Sequence, residues 1–214
     1  TRAMRLWLVL IALVFSASLG VQPHRDLKPT VILVSFDGWR WAYHLRAPAP
    51  NLRRLMARGV RADGLIPSFP SKTFPNHYTI VTGLYPGHHG IVANTIKDPA
   101  TGRIFATSKV QEVRDPMWWG GEPIWVSTAR AGQLSAAMFW PGSEAPIDGV
   151  LPRYWTAYDG NYPANARIDR VLEWLDLREA ERPRFITVYF EDADRAGHDQ
   201  GPDSQEVREA IMRA

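Results

Sequence analysis

The sequence predicts an α/β domain in which helices are layered on a largely parallel sheet, and three observations predict it. Residues 30–36 (TVILVSF) and 185–190 (FITVYF) are nearly continuous apolar, β-branched runs, the pattern of strands buried on both faces of a parallel sheet. Residues 164–177 carry Ile168, Val171, Leu172 and Leu175 at the spacing of one helical face. Strands that alternate with helices in this way belong to layered α/β architectures.

In chain order, Asp37-Gly38 ends the first strand. Residues 50–58 read as a short helix, with Leu52, Leu55 and Met56 on one side and Gly59 where a left-handed cap would sit. A Pro- and Ser-rich loop follows. Thr73-Phe74-Pro75 then opens a second helix ending near Gly83, because Pro is tolerated in a first turn and Gly is favoured past the end. Residues 123–131 predict a helix and 135–140 a strand. The stretch 94–123 has no clear period, and Trp118-Trp119-Gly120-Gly121 is expected to form an irregular packed loop. Residues 203–214 look like the start of another helix. No internal repeat or low-complexity segment is present.

The composition bounds the chemistry. With 45% hydrophobic, 22% charged and 11% aromatic residues, the chain can bury a substantial core. The net charge is +3, and Arg2 and Arg5 supply two of those charges within a segment expected to be removed, so no nucleic-acid-binding surface is evident. Cysteine is absent, which excludes disulfides, thiol nucleophiles and Cys-ligated metals. Any metal must be held by oxygen and by a supply of six histidines.

From Met4, the probable start, the chain reads Arg5, an apolar run to Phe15, then the small residues Ser16, Ala17, Ser18 and Gly20, the order of a secretory signal peptide. The run is shorter than the ~20 residues that span a bilayer, so no stable membrane anchor is expected after cleavage. Residues 1–20 are read as signal peptide, 21–29 as linker and 30–214 as domain, which predicts a periplasmic or secreted protein.

In open α/β sheets, ligands gather beyond the carboxyl ends of the strands, and acidic residues stand there twice: Asp37 and Asp194. A lone Asp at a strand end is equally a turn or helix cap. His198, four residues after Asp194, can share one ion with it across a helical turn. Glu191 and Asp192 are ligands, partners of ligands or solvated charges. Thr73 stands at a helix start, where free backbone N–H groups favour an anion or are simply capped. Asn94 can donate to a phosphoryl oxygen or occupy a turn. His77, one turn beyond Thr73, packs on the core or binds an ion; His88 and His89 read as structural; Lys72 attracts phosphate or faces water.

These residues lie in segments that together resemble the ectonucleotide pyrophosphatase/phosphodiesterase family, the type I phosphodiesterases of the alkaline phosphatase superfamily. The likeness rests on Val34-Ser35-Phe36-Asp37-Gly38, Pro50-Asn51-Leu52, Lys72-Thr73-Phe74-Pro75-Asn76-His77-Tyr78, Thr82-Gly83-Leu84-Tyr85-Pro86, His89-Gly90-Ile91 and Asn94. It continues through Gly121-Glu122-Pro123-Ile124-Trp125, Phe139-Trp140-Pro141-Gly142-Ser143, Tyr189-Phe190-Glu191-Asp192 and Gly197-His198. The resemblance implies an alkaline-phosphatase-like α/β/α domain, here its N-terminal part. It also implies two Zn2+ ions and a phosphothreonine intermediate at Thr73. By position, Asp37 and Thr73 would serve one zinc, Asp194 and His198 the other, with Asn94 stabilising the phosphoryl oxygens. Phe74 and Tyr158 match positions flanking a nucleotide base, and Tyr189 is a further candidate for that pocket. The implied activity is hydrolysis of nucleotide phosphodiester or pyrophosphate bonds to release nucleoside monophosphates.

The family completes its metal sites with an Asp-His pair and a later His, and this sequence stops sixteen residues after His198. The 214 residues alone are therefore expected to bind zinc poorly and to turn over little substrate. Two alternatives stand beside this reading: hydrolysis of another phosphate ester, such as a phospholipid head group or a phosphomonoester, and a non-catalytic binding protein on the same fold.

Overall fold

A computed structural model describes residues 29–213. The expected signal peptide and linker lie outside the described residues, apart from position 29. The main sheet has four strands in the order β1(Val31–Phe36), β6(Phe185–Phe190), β4(Ser135–Met138), β5(Tyr154–Trp155), every neighbouring pair parallel. The register sets Phe36 opposite Phe190, so β1 and β6 end together, and the Asp37 N–H donates to the Phe190 carbonyl at 2.8 Å. A small antiparallel hairpin, β2(Thr95–Lys97) and β3(Ile104–Ala106), lies within the stretch that showed no period in the sequence.

The principal helices are α1(Pro50–Arg58), α2(Thr73–Thr82), α5(Ile124–Arg130), α6(Ala164–Leu175), α7(Asp192–Gln200) and α8(Gln205–Arg213). Single turns form α3(Pro86–His89) and α4(Val110–Val113). The core gathers Tyr78, Trp119 and Trp125 with the inner faces of β4 and β6, and a second cluster joins Tyr43 to α7 and α8. Trp118 and Trp119 are buried in an irregular segment, as their loop predicts.

Three local expectations are corrected. β6 is buried at every position, but among the described residues β1 is the edge of the sheet, and Val31, Ile32 and Val34 are 59, 42 and 45% exposed. An apolar run records hydrophobicity and not the strand's place in the sheet. Gly59 leaves α1 extended, with φ −120° and ψ −159°, and not as a left-handed cap; its N–H closes the last turn onto Leu55. On α6 the buried side is Arg167, Val171 and Trp174, while Ile168 and Leu172 face outward. The helix is turned by Arg167, whose guanidinium is drawn inward by Glu191 just past the end of β6, and by Trp174, which stacks on Tyr154 at 6.2 Å.

Candidate active site

The site forms where the ends of β1 and β6 meet the start of α2. Asp37 leaves β1 into a tight turn: its Oδ1 accepts the Gly38 N–H at 3.0 Å, and Gly38 adopts φ +63°. A Cβ at position 38 would stand 2.7 Å from the Asp194 Cα, so glycine lets the β1 turn lie directly against α7. The Tyr189 hydroxyl donates to Asp37 Oδ2 at 2.8 Å.

Thr73 is the first residue of α2, entered from extended Lys72 at φ −112° and ψ 156°. Pro75 sits in the first turn, where no N–H is needed. Asn76 ties down the approach: its Oδ1 accepts the Ser68 N–H at 2.8 Å and its Nδ2 donates to the Pro70 and Lys72 carbonyls at 3.0 Å each. The helix ends at Gly83 in the left-handed region. The N–H of Phe74, one of the free donors of the first turn, goes to Asn94 Oδ1 at 3.0 Å. Because a backbone N–H needs an acceptor, this bond fixes the Asn94 amide and leaves its Nδ2 donors for the cavity.

His77 stacks one turn below Thr73 and is 5% exposed. Its Nδ1 lies 2.7 Å from the Thr73 carbonyl and its Nε2 2.8 Å from Ser35 Oγ. Burial holds its pKa below the ordinary histidine value, against the opposing influence of Asp37. His89 is fully buried, bonded to Thr79 Oγ1 at 3.0 Å and accepting the Ile91 N–H at 3.2 Å. Both rings have both nitrogens engaged.

α7 carries Asp194 and His198 on successive turns, with His198 Nε2 3.5 Å from Asp194 Oδ1. Burial, and then the nearby Asp37 charge, push the Asp194 carboxyl above the usual aspartate value. Two carboxylates facing each other across one cavity favour a bound cation. Glu191 is not available for that purpose. Both its oxygens accept from the buried Arg167 guanidinium at 2.7 and 2.8 Å, and Arg195 adds a bond at 3.0 Å. Asp192 lines a separate cleft beneath β1.

The eight residues given site roles by the resemblance line one cavity of about 500 Å³: Asp37, Thr73, Phe74, Asn94, Tyr158, Tyr189, Asp194 and His198. Phe74 rests against Phe105 and Trp119, with centroids at 5.9 and 6.0 Å, and Tyr158 is half-exposed at the opposite rim. Tyr189 borders the cavity with its ring, but its hydroxyl is committed to Asp37. Lys72 is exposed and is not among the residues that line the cavity. A donor set of two carboxylates, one imidazole and one hydroxyl is of the type that suits hard or borderline dications. Among the described residues, no group of three or more His, Asp or Glu side chains is placed to hold a metal ion.

Sequence reasoning did not find the partners Ser35, Asn76, Arg167, Arg114 and Glu144. Glu144 accepts from Arg114 at 2.8 Å and from the Tyr158 N–H at 2.8 Å, and so braces the rim. Only Ser35 left a signal: it stands two residues before Asp37, on the same side of β1.

A hydroxyl at a helix start, an amide bonded to the same helix turn and carboxylates just past β1 and on α7 fit a phosphodiesterase-type α/β domain. The chain belongs to the type I phosphodiesterase/nucleotide pyrophosphatase family, whose model matches residues 31–214. It is 48% identical over 186 residues to an uncharacterized pyrophosphatase/phosphodiesterase of Schizosaccharomyces pombe, covering 86% of this chain and 38% of that protein. It is 44% identical to a venom phosphodiesterase of Crotalus durissus collilineatus, covering 86% and 22%. Among solved structures it superposes with TM-score 0.82 and 35% identity on murine ectonucleotide pyrophosphatase/phosphodiesterase 5, an inactive Thr→Ala variant in complex with AMP. That match covers 87% of this chain and 49% of the other. The chain thus spans less than half the length of these relatives.

Proposed function

We propose that the full-length protein hydrolyses nucleotide phosphodiester or pyrophosphate bonds through a covalent intermediate on Thr73 and releases a nucleoside monophosphate. The observation that carries this reading is the Phe74 N–H to Asn94 Oδ1 bond, which fixes the Asn94 amide at the helix start in the cavity that Thr73 also lines. The AMP complex of the murine relative supports a nucleotide as substrate. So do Phe74 and Tyr158, whose rings flank a cavity roomy enough for a second ester arm.

Thr73 Oγ gives up its proton to solvent in the open cavity and bonds to phosphorus while the bond to the departing oxygen breaks. The leaving alcohol or phosphate takes its proton from water. Asn94 Nδ2 donates to a nonbridging oxygen as charge builds on it. A water oxygen then attacks phosphorus, the Thr73 bond breaks and the threonine hydroxyl is restored. Two Zn2+ ions, one held by Asp37 with Thr73 and one by Asp194 with His198, would supply charge neutralisation and acidify the nucleophile's hydroxyl. We further propose that the protein works outside the cytoplasm, in the periplasm or after secretion, which its N-terminal sequence and its relation to a venom enzyme support.

The test is acid quenching of the full-length protein during turnover of a nucleotide diester labelled at phosphorus. Label is expected on Thr73, with no turnover in Thr73→Ala and faster hydrolysis of a nitrophenyl nucleotide diester than of nitrophenyl phosphate. Near-normal turnover by Thr73→Ala would overturn the mechanism, and preference for the monoester would overturn the substrate class.

A further inference from the structure

His77 is the most deeply buried polar side chain that touches Thr73, and the proposed reaction makes no use of it. Both its nitrogens are engaged, so it is not free to bind an ion. The partners determine its tautomer. The Thr73 carbonyl can only accept, so Nδ1 carries the proton; Nε2 of the neutral ring then has only a lone pair, and the Ser35 hydroxyl donates to it.

These two bonds link the two chain segments whose separation matters most. Ser35 is on β1, and Asp37 follows two residues later, just past the strand's end, where its N–H still bonds to β6. Thr73 and His77 occupy the same face of α2, one turn apart. Among the described residues no backbone hydrogen bond joins β1 to α2, since β1 pairs only with β6. The route Ser35 Oγ, His77 imidazole, Thr73 carbonyl is therefore a direct brace between the strand that carries Asp37 and the helix that begins with Thr73. Neighbouring rings fix the plane of the imidazole: Trp140 and Tyr189 meet it edge-on, each with its centroid at 5.1 Å, at 70° and 80°. Trp140 Nε1 also donates to the His77 carbonyl at 3.0 Å. Since Tyr189 holds Asp37 by its hydroxyl, one imidazole buttresses both ends of the pair.

We infer that Ser35 and His77 are positioning residues that hold the Thr73 hydroxyl in register with Asp37 for attack on phosphorus. The inference rests on the reading of Thr73 as nucleophile. Displacing a reacting atom by about 1 Å can cost 10²-fold in rate, and loss of a partner that orients a ligand commonly costs 10- to 100-fold.

The experiment uses the full-length protein with Ser35→Ala, His77→Asn, their double variant and Thr73→Ala. Asparagine keeps an amide donor near the Nδ1 position but cannot reach Ser35, so His77→Asn and Ser35→Ala break the same bond and spare the core. Each is expected to lower kcat on the order of 10-fold or more, with KM changed less than about threefold. The double variant should be no worse than the more damaged single, because both act through one link. Imidazole 15N spectra of the metal-free protein at neutral pH should show His77 neutral and protonated at Nδ1. Wild-type kcat in Ser35→Ala and His77→Asn beside an inactive Thr73→Ala overturns the brace alone, as does a ring protonated at Nε2. An active Thr73→Ala overturns the reading of the nucleophile, whatever the other variants do.

Discussion

Tyr189 on β6 donates its hydroxyl to Asp37 at the end of β1, at 2.8 Å, although 152 residues separate them. The parallel register makes this possible: Ser35 lies opposite Tyr189, so the tyrosine reaches only to the next residue of the same face. With the Gly38 N–H on Oδ1, the bond holds the carboxylate in one orientation. Desolvation and the Asp37 charge raise the Tyr189 pKa, so it stays a donor at any working pH.

Tyr189→Phe is expected to keep the ring contacts and free one oxygen of Asp37. Activity of the full-length enzyme should fall on the order of 10-fold or more, measured as kcat/KM on a nitrophenyl nucleotide diester. A variant with unchanged kcat/KM would show that the hydroxyl does not orient the carboxylate.

Asn94→Asp still accepts from the Phe74 N–H but loses both amide donors and places a negative charge where phosphoryl oxygens gather. A loss of kcat of more than about 10²-fold is expected, at least as large as in Asn94→Ala. If aspartate restored activity lost in the alanine variant, acceptance from Phe74, and not donation to substrate, would be the function of Asn94.

The Arg167–Glu191 pair is buried on both sides, with side-chain exposures of 2% and 9%, and anchors the turn from β6 into α7. Replacing Arg167 alone by Met strands the carboxylate, leaving only the half-exposed Arg195 beside it, and should cost about 3–5 kcal/mol in chemical denaturation. Exchanging both partners for apolar residues of similar volume should cost far less. Equal losses would mean that packing, and not charge, sets the stability here.

Asp194 has a folded-state pKa above its unfolded value, so its contribution to stability is present below the ordinary aspartate pKa and lost as pH rises through the raised one. The metal-free protein should therefore lose some stability from Asp194 between acid and neutral pH, and Asp194→Asn should melt higher than wild type near pH 7 in the presence of a chelator. Added Zn2+ should stabilise the wild type and not the variant. An Asp194→Asn melting temperature equal to or below wild type under chelation would show that the two carboxylates do not strain the site.

Much of the fold was legible because it is written in local patterns. The run FITVYF reads as a strand, and Gly83 after TFPNHYTIVT marks the end of a helix. The candidate site was legible through its motifs: Asp37 follows a strand, Thr73 starts a helix, Asn94 precedes a strand, and Asp194 and His198 are spaced one helical turn apart. The exposure of β1 and the inward turn of Arg167 were not legible. A strand's place at the edge and a cation's place in the core depend on which elements meet them.

From the sequence alone came the α/β class, the identities of the longer strands and helices, the absence of thiol chemistry and eight of the residues that line the cavity. Tertiary structure alone decided what those residues hold: Asp37 by Tyr189, Thr73 through His77 to Ser35, Glu191 by Arg167, Asn94 by Phe74. Periodicity and turn chemistry act over a few residues and leave a trace in the order of amino acids. A hydrogen bond between residues 42 or 152 positions apart depends on the register of two strands and the pitch of one helix, which exist only once the chain has closed on itself.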